Sequence, residues 1–161
     1  MKKFCIYMLT ILAFLNLTGC QSEQPHTAAE SYTFTYQEVQ IPINADAGPI
    51  IDALGEPKGY TEEPSCAFEG LDKTYYFGSF YLSTYPEGGN DYVYSLWFAD
   101  DSVAAENGLR IGCTQQEAEA ILGAGCFDGT NVFTSEKGES RLTVILTDGF
   151  VTSIQYQSTI G

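Results

Sequence analysis

The chain has 161 residues, enough for one domain or for two small, closely packed halves. Apolar residues make up 44% and aromatics 14%, which supports a packed core. The formal net charge of −14 repels both phosphate backbones and anionic lipid, and it excludes nucleic-acid binding.

Met1–Thr18 carries two lysines and then an apolar run from Phe4 to Leu17, the physical design of a secretory leader. The run is too short and too early for a stable membrane span. It ends in Leu17-Thr18-Gly19-Cys20, which resembles the bacterial lipobox. That resemblance implies a lipid on the Cys20 sulfur and cleavage before Cys20, so that residues 1–19 are a lipoprotein signal peptide. Two or three acyl chains provide the double signal that firm anchoring requires. The expected location is extracytoplasmic, on the outer face of the cell membrane. Residues 20–30 are polar, with one proline and the only histidine, His26, and read as a flexible tether. Lys2 and Lys3 lie in the leader and no acid does, so five cations face 21 acids beyond it, a net charge of −16.

Ser31–Ile41 alternates tyrosine and phenylalanine with threonine and predicts a strand that Pro42 ends. A helix is predicted over Asp46–Leu54, with Asp46 as cap, Ile50, Ile51 and Leu54 on one face, and Gly55 closing it. Glu56–Pro64 reads as an acidic loop, and Ser65–Lys73 as a short strand and turn. Thr74–Tyr85 is aromatic and β-branched, a strong strand. Pro86–Asp91 turns the chain, Tyr92–Phe98 returns it, and Ala99–Asn107 crosses over. Thr114 and Glu117 form a capping-box pair for a second helix, Thr114–Leu122, closed by a left-handed Gly123. Asn131–Ser135, Ser140–Thr147 and Phe150–Gln157 are predicted strands, with Lys137-Gly138 and Asp148-Gly149 as hairpin signals.

The expected class is α+β. Two tandem repeats, residues 43–98 and 108–157, would each be one short helix followed by an antiparallel β-meander. Both would lie in a single domain, residues 31–161, with the helices on one face of the sheet. Gly108–Gly123 (GLRIGCTQQEAEAILG), Asp91–Val103 (DYVYSLWFADDSV) and Ser65–Lys73 (SCAFEGLDK) carry a resemblance. Across residues 47–156 the chain resembles lipoproteins of Gram-positive gut bacteria. It is also similar in arrangement to the two-repeat β-lactamase inhibitor proteins and to the small outer-membrane-assembly lipoproteins. It lacks the paired disulfides of the inhibitors, and it is longer than the assembly lipoproteins. The resemblance implies an interaction module of the cell envelope and supplies neither an activity nor partner residues.

Cys66, Cys113 and Cys126 remain after Cys20, an odd number that allows at most one disulfide. Cys113 and Cys126 flank the second helix, and nine helical residues span ~13 Å. That is too far for a bridge unless the chain doubles back after Gly123. A bridge from Cys66 stays open, as do three reduced thiols filling the core. With no histidine in the body there is no Ser-His-Asp triad, no imidazole to activate a cysteine and no typical zinc site. Asp72, Asp91, Asp100 and Asp101 are the carboxylates on loops, and no EF-hand or P-loop spacing accompanies them. No catalytic residue, metal or cofactor is therefore assigned. The expected role is non-enzymatic: a protein-binding or scaffolding module held to the membrane through Cys20. The competing role is a carboxylate-dependent enzyme or binder acting on a cell-wall or dietary glycan.

Strand alternation proposes a surface for such a partner. Leu96, Phe98, Ile154 and Tyr156 are assigned to the core, with Tyr76, Phe80 and Leu82 in phase. Val93, Val151, Ser95, Ser153, Trp97 and Gln155 then face away. The outer face gathers Tyr75, Phe77, Tyr81, Tyr85 and Trp97, the expected partner-binding patch. Alternatively, the Ser31–Ile41 strand or the Glu56–Lys73 stretch folds over this face and makes a second small core.

Overall fold

In the computed structural model, residues 31–160 are described. The expected leader, tether and lipid-attachment site at Cys20 lie outside them.

The described residues open with a hairpin, β1 (Thr33–Tyr36) and β2 (Val39–Pro42), where one strand was expected. Its two-residue turn holds Gln37 and Glu38 at φ 46° and 72°, the left-handed pair that a tight hairpin needs. Helix α1 (Ala47–Leu54) follows, its Asp46 carboxylate accepting from the Gly48 N–H at 3.0 Å. The expected loop after it is instead strand β3 (Gly59–Pro64). The sequence Thr61-Glu62-Glu63-Pro64 hides it, because acids and a proline are what an edge strand tolerates. The expected strand Thr74–Tyr85 is two strands, β4 (Leu71–Tyr76) and β5 (Phe80–Glu87), folded at Phe77-Gly78-Ser79 with Gly78 at φ 97°. Strand β6 (Asn90–Phe98) returns beside β5. Helix α2 (Gln115–Leu122) carries the expected capping box: Thr114 Oγ1 accepts from the Glu117 N–H at 3.3 Å, and Glu117 Oε2 accepts from the Thr114 N–H at 2.8 Å. Strands β7 (Val132–Lys137), β8 (Ser140–Thr147) and β9 (Phe150–Ser158) finish the chain.

The last seven strands make one antiparallel sheet in the order β3-β4-β5-β6-β9-β8-β7. One core cluster joins Phe34 and Ile41 of the hairpin and Ala47 and Ala118 of the helices to Phe80, Leu82, Leu96, Val144 and Ile154 of the sheet. Its drive is burial of apolar surface.

The α+β expectation of two tandem helix-plus-meander repeats, residues 43–98 and 108–157, is overturned. Of the described residues 48% are strand and 15% helix, so the class is mostly β. Each α-helix has eight residues and fully buries a single alanine, too little to cover its own half of a sheet. The strands do not form two meanders either: β6 pairs with β9 and fuses all seven into one sheet. The β1–β2 hairpin, outside both expected repeats, provides much of the cover.

Two bulges explain a second correction. The register slips between Ser83 and Thr84 opposite Tyr94, and between Ile145 and Leu146 opposite Thr152. An extra residue inverts the alternation beyond it. Val93 and Val151, expected to face out, are thereby turned into the core at 0% and 1% exposure.

Candidate functional site: the outer face of the sheet

The register fixes which side chains share the face opposite the core. One row crosses Tyr76, Tyr81, Trp97, Gln155, Thr143 and Thr134. Its first three members are aromatic and half-buried, and the rest are polar. Tyr76 and Tyr81 stack at 4.6 Å between centroids, and Tyr81 and Trp97 at 5.0 Å. Gly59 lies opposite Tyr76 and leaves the row open at that end. The next row crosses Thr74, Ser83, Ser95 and Gln157, with Thr74 and Ser83 hydroxyls 3.0 Å apart. Gln157 Nε2 donates to Tyr94 OH at 2.9 Å.

Of the five aromatics expected to form a patch, the structure brings Tyr81 and Trp97 together on this face. Phe77 does not join them: it leaves β4 at the turn, stacks on Phe80 at 5.3 Å and enters the core. Tyr75 pairs with Leu82, which puts it on the core side, beside Tyr60 at 5.1 Å. Tyr85 is on the outer face but 2% exposed, because Phe68 covers it at 4.8 Å. Tyr76, expected in the core, is the aromatic that sequence reasoning missed. Reading Thr74–Tyr85 as one strand gave it the phase of Phe80 and Leu82. The hairpin at Gly78 pairs it with Tyr81 instead.

A cavity of about 330 Å³ lies at the end of this face, at the low end of ligand-pocket sizes. The chain between β3 and β4 folds over to make it. The Ser65 N–H donates to the Gly70 carbonyl at 3.0 Å, and Ser65 Oγ accepts from the Phe68 N–H at 3.2 Å. Gly70 sits at φ 136°, and a Cβ there would fall 2.9 Å from the Pro86 ring, so only glycine lets the loop close so tightly. Phe68 and Tyr85 line one side, and Tyr94 meets Tyr85 at 81°. Glu63 and Asp72 supply two carboxylates. Among the described residues no lysine, arginine, histidine, asparagine or glutamine lines the cavity.

Among the described residues, Asp72 Oδ1 and Tyr85 OH of this lining are buried without a hydrogen-bond partner; Thr84 Oγ1 is likewise unpartnered, but Thr84 pairs with Val93 and turns to the core side of the sheet. Such groups cost stability, about 1–3 kcal/mol each. The nearest ammonium in sequence, Lys73, is held by Asp91 at 2.6 Å, and that hydrogen bond pushes its pKa up. Burial pushes the Tyr85 phenol up to about 12, so it stays protonated through the physiological range.

Cys66, Cys113 and Cys126 are all free thiols, Cys66 exposed on the cavity loop and the other two half-buried beside the core. Burial raises the Cys126 thiol, which disfavours its nucleophilic thiolate. Among the described residues no group of three or more His, Cys, Asp or Glu side chains is placed to hold a metal ion. No described helix is long and apolar enough to cross a membrane.

These features define a mostly antiparallel β protein with one covered sheet face and one face of aromatics, hydroxyls and a small acidic cavity. Compared with family models, curated proteins and solved structures, the chain matches none.

Proposed function

We propose that the chain is a lipid-anchored, extracytoplasmic binding module of the cell envelope, and that its outer sheet face docks a protein partner. The observation that carries this reading is the part-exposed stack Tyr76–Tyr81–Trp97 on the face opposite the core. Tyr and Trp contribute large, rigid contact areas with polar tips, and they dominate protein interfaces. The lipobox at Cys20 and the likeness to envelope lipoproteins fit an anchored module.

A photo-reactive side chain at Tyr81 in intact cells tests the reading. One protein should cross-link there, should be lost when Trp97 becomes Ala, and should be missing when the probe sits at Phe150, which is 50% exposed elsewhere. Equal labelling at Phe150, or turnover of cell-wall glycan by the purified chain, would overturn it. Mass spectrometry of the same membranes should show an acylated peptide that begins at Cys20.

A further inference from the structure

The cavity under the Ser65–Gly70 loop has a lining chemistry of one sign. We propose that it binds an organic ammonium group, with Asp72 and Glu63 as counter-charge and Phe68, Tyr85 and Tyr94 as walls. The inference rests on reading this face as a binding surface, and it names the ligand chemistry at one end.

Four observations carry it. Among the described residues every hydrogen-bonding side chain around the cavity is a carboxylate, a hydroxyl or a thiol, and each of these can accept. An anionic ligand would find two carboxylates and not one basic or amide side chain to receive it. Tyr85 is 2% exposed, yet among the described residues its hydroxyl has no partner, and neither has Asp72 Oδ1. A group with several N–H donors would satisfy such acceptors. The walls Phe68, Tyr85 and Tyr94 are aromatic, a lining that favours a cation, with Tyr85 stacked against Phe68 and Tyr92 and meeting Tyr94 edge to face. The surplus of acids over the whole chain concentrates cations near the site.

Lys73 does not fill this role from within, since Asp91 holds it. The ammonium must come from outside, either as a free amine or as a lysine side chain of the docked protein. The two sources share one chemistry and differ in what surrounds the charge.

Calorimetric titration of the full chain at neutral pH and low salt tests the proposal with four probes. These are n-butylammonium, its neutral isostere n-butanol, Nα-acetyl-lysine methylamide and a neutral disaccharide. Both ammonium compounds should bind, and n-butanol should bind at least about tenfold more weakly. Asp72→Asn should weaken the ammonium about tenfold or more. Glu63→Gln, at an exposed position that places no demand on folding, should weaken it by a smaller factor. Trp97→Ala should leave ammonium binding unchanged, which separates this site from partner docking. Tighter binding of the lysine derivative assigns the source to a protein side chain, and tighter binding of n-butylammonium assigns it to a free amine. Equal binding of n-butanol, binding of the disaccharide alone, indifference to both carboxylates, or no binding by a chain folded by circular dichroism would overturn the proposal.

Discussion

Tyr81 and Trp97 face each other across β5 and β6 with ring planes 15° apart, and Tyr76 extends the stack from β4. Rings stacked along a row of neighbouring strands stand up from the sheet. They offer edges and polar tips rather than a flat aromatic floor. A sugar ring needs a floor, whereas side chains of a protein surface can interleave with standing rings. The row also ends in Gln155 and Thr143, polar neighbours that suit the rim of a protein contact.

The stack should be measurable in the free protein. Tyr81→Ala and Trp97→Ala should each destabilise, and a double-mutant cycle between them should give a coupling of about 1 kcal/mol. Urea unfolding followed by circular dichroism reads it. A coupling near zero would mean that the rings touch without stabilising each other.

The cap of α2 makes a second test. Thr114→Ala removes the hydroxyl that accepts from the Glu117 N–H and should cost about 1 kcal/mol. The hydrogen bond from the Thr114 N–H holds the Glu117 carboxyl below its usual range. A carboxyl depressed in the folded state stabilises above its unfolded pKa, and that contribution is lost as pH falls through the folded value. Glu117→Gln should therefore flatten the acid limb of a stability–pH curve. An acid limb identical to that of the parent would show that the carboxylate bond does not persist in solution.

These helix signals were legible because capping chemistry is local: Asp46, Thr114 and Glu117 act on backbone groups within three residues. The β8–β9 hairpin was legible for the same reason. Asp148 and Gly149 take φ 52° and 80°, as their turn requires. The β1–β2 turn was not, since Gln37 and Glu38 adopt the same conformation without the residues that favour it. Bulges at Tyr94 and Thr152 leave no mark such as a glycine, so the phase of Val93 and Val151 depended on partners far along the chain. The site was legible only in part. Tyr81 and Trp97 could be paired by alternation, but Tyr76 needed the turn at Gly78. The cavity needed the Ser65–Gly70 loop to cross the face, and a composition of Ser, Cys, Ala, Phe, Glu and Gly does not announce that.

Gly123 tests helix closure without interference from packing. It was expected in the left-handed helical region, but it sits at φ 124° and ψ 139°, an extended region open to glycine, with its N–H donating to the Glu119 carbonyl at 2.9 Å. A Cβ there would meet nothing within 4 Å, so a substitution strains the backbone alone. Gly123→Ala should cost about 1 kcal/mol or more in thermal unfolding. An unchanged midpoint would mean that α2 closes some other way.

The last prediction concerns two unpartnered buried hydroxyls, that of Tyr85 at the cavity and that of Thr84 on the core side of β5. Thr84 Oγ1 and Tyr85 OH are buried and make no hydrogen bond among the described residues. Removing a buried polar atom that has no partner returns its desolvation cost, so Thr84→Val, close in shape, should stabilise the chain by about 1 kcal/mol. Tyr85→Phe should act in the same direction. It should also change the alkaline limb of the stability curve. Burial raises the Tyr85 phenol in the folded chain to about 12, above its ordinary 10.0. A group raised on folding stabilises fully below the unfolded pKa, and that stability is lost as pH climbs toward the folded value. The parent chain should therefore lose stability between about pH 10 and pH 12, and Tyr85→Phe should lose less over that window. Chemical denaturation of both variants, with the tyrosinate absorbance followed in parallel, gives the two readings. If Tyr85→Phe destabilises, its hydroxyl is bonded in solution and the cavity is a structural water site. If Tyr85→Phe stabilises while ammonium binding falls, the chain gives up stability to keep an acceptor ready for a ligand, as binding sites characteristically do.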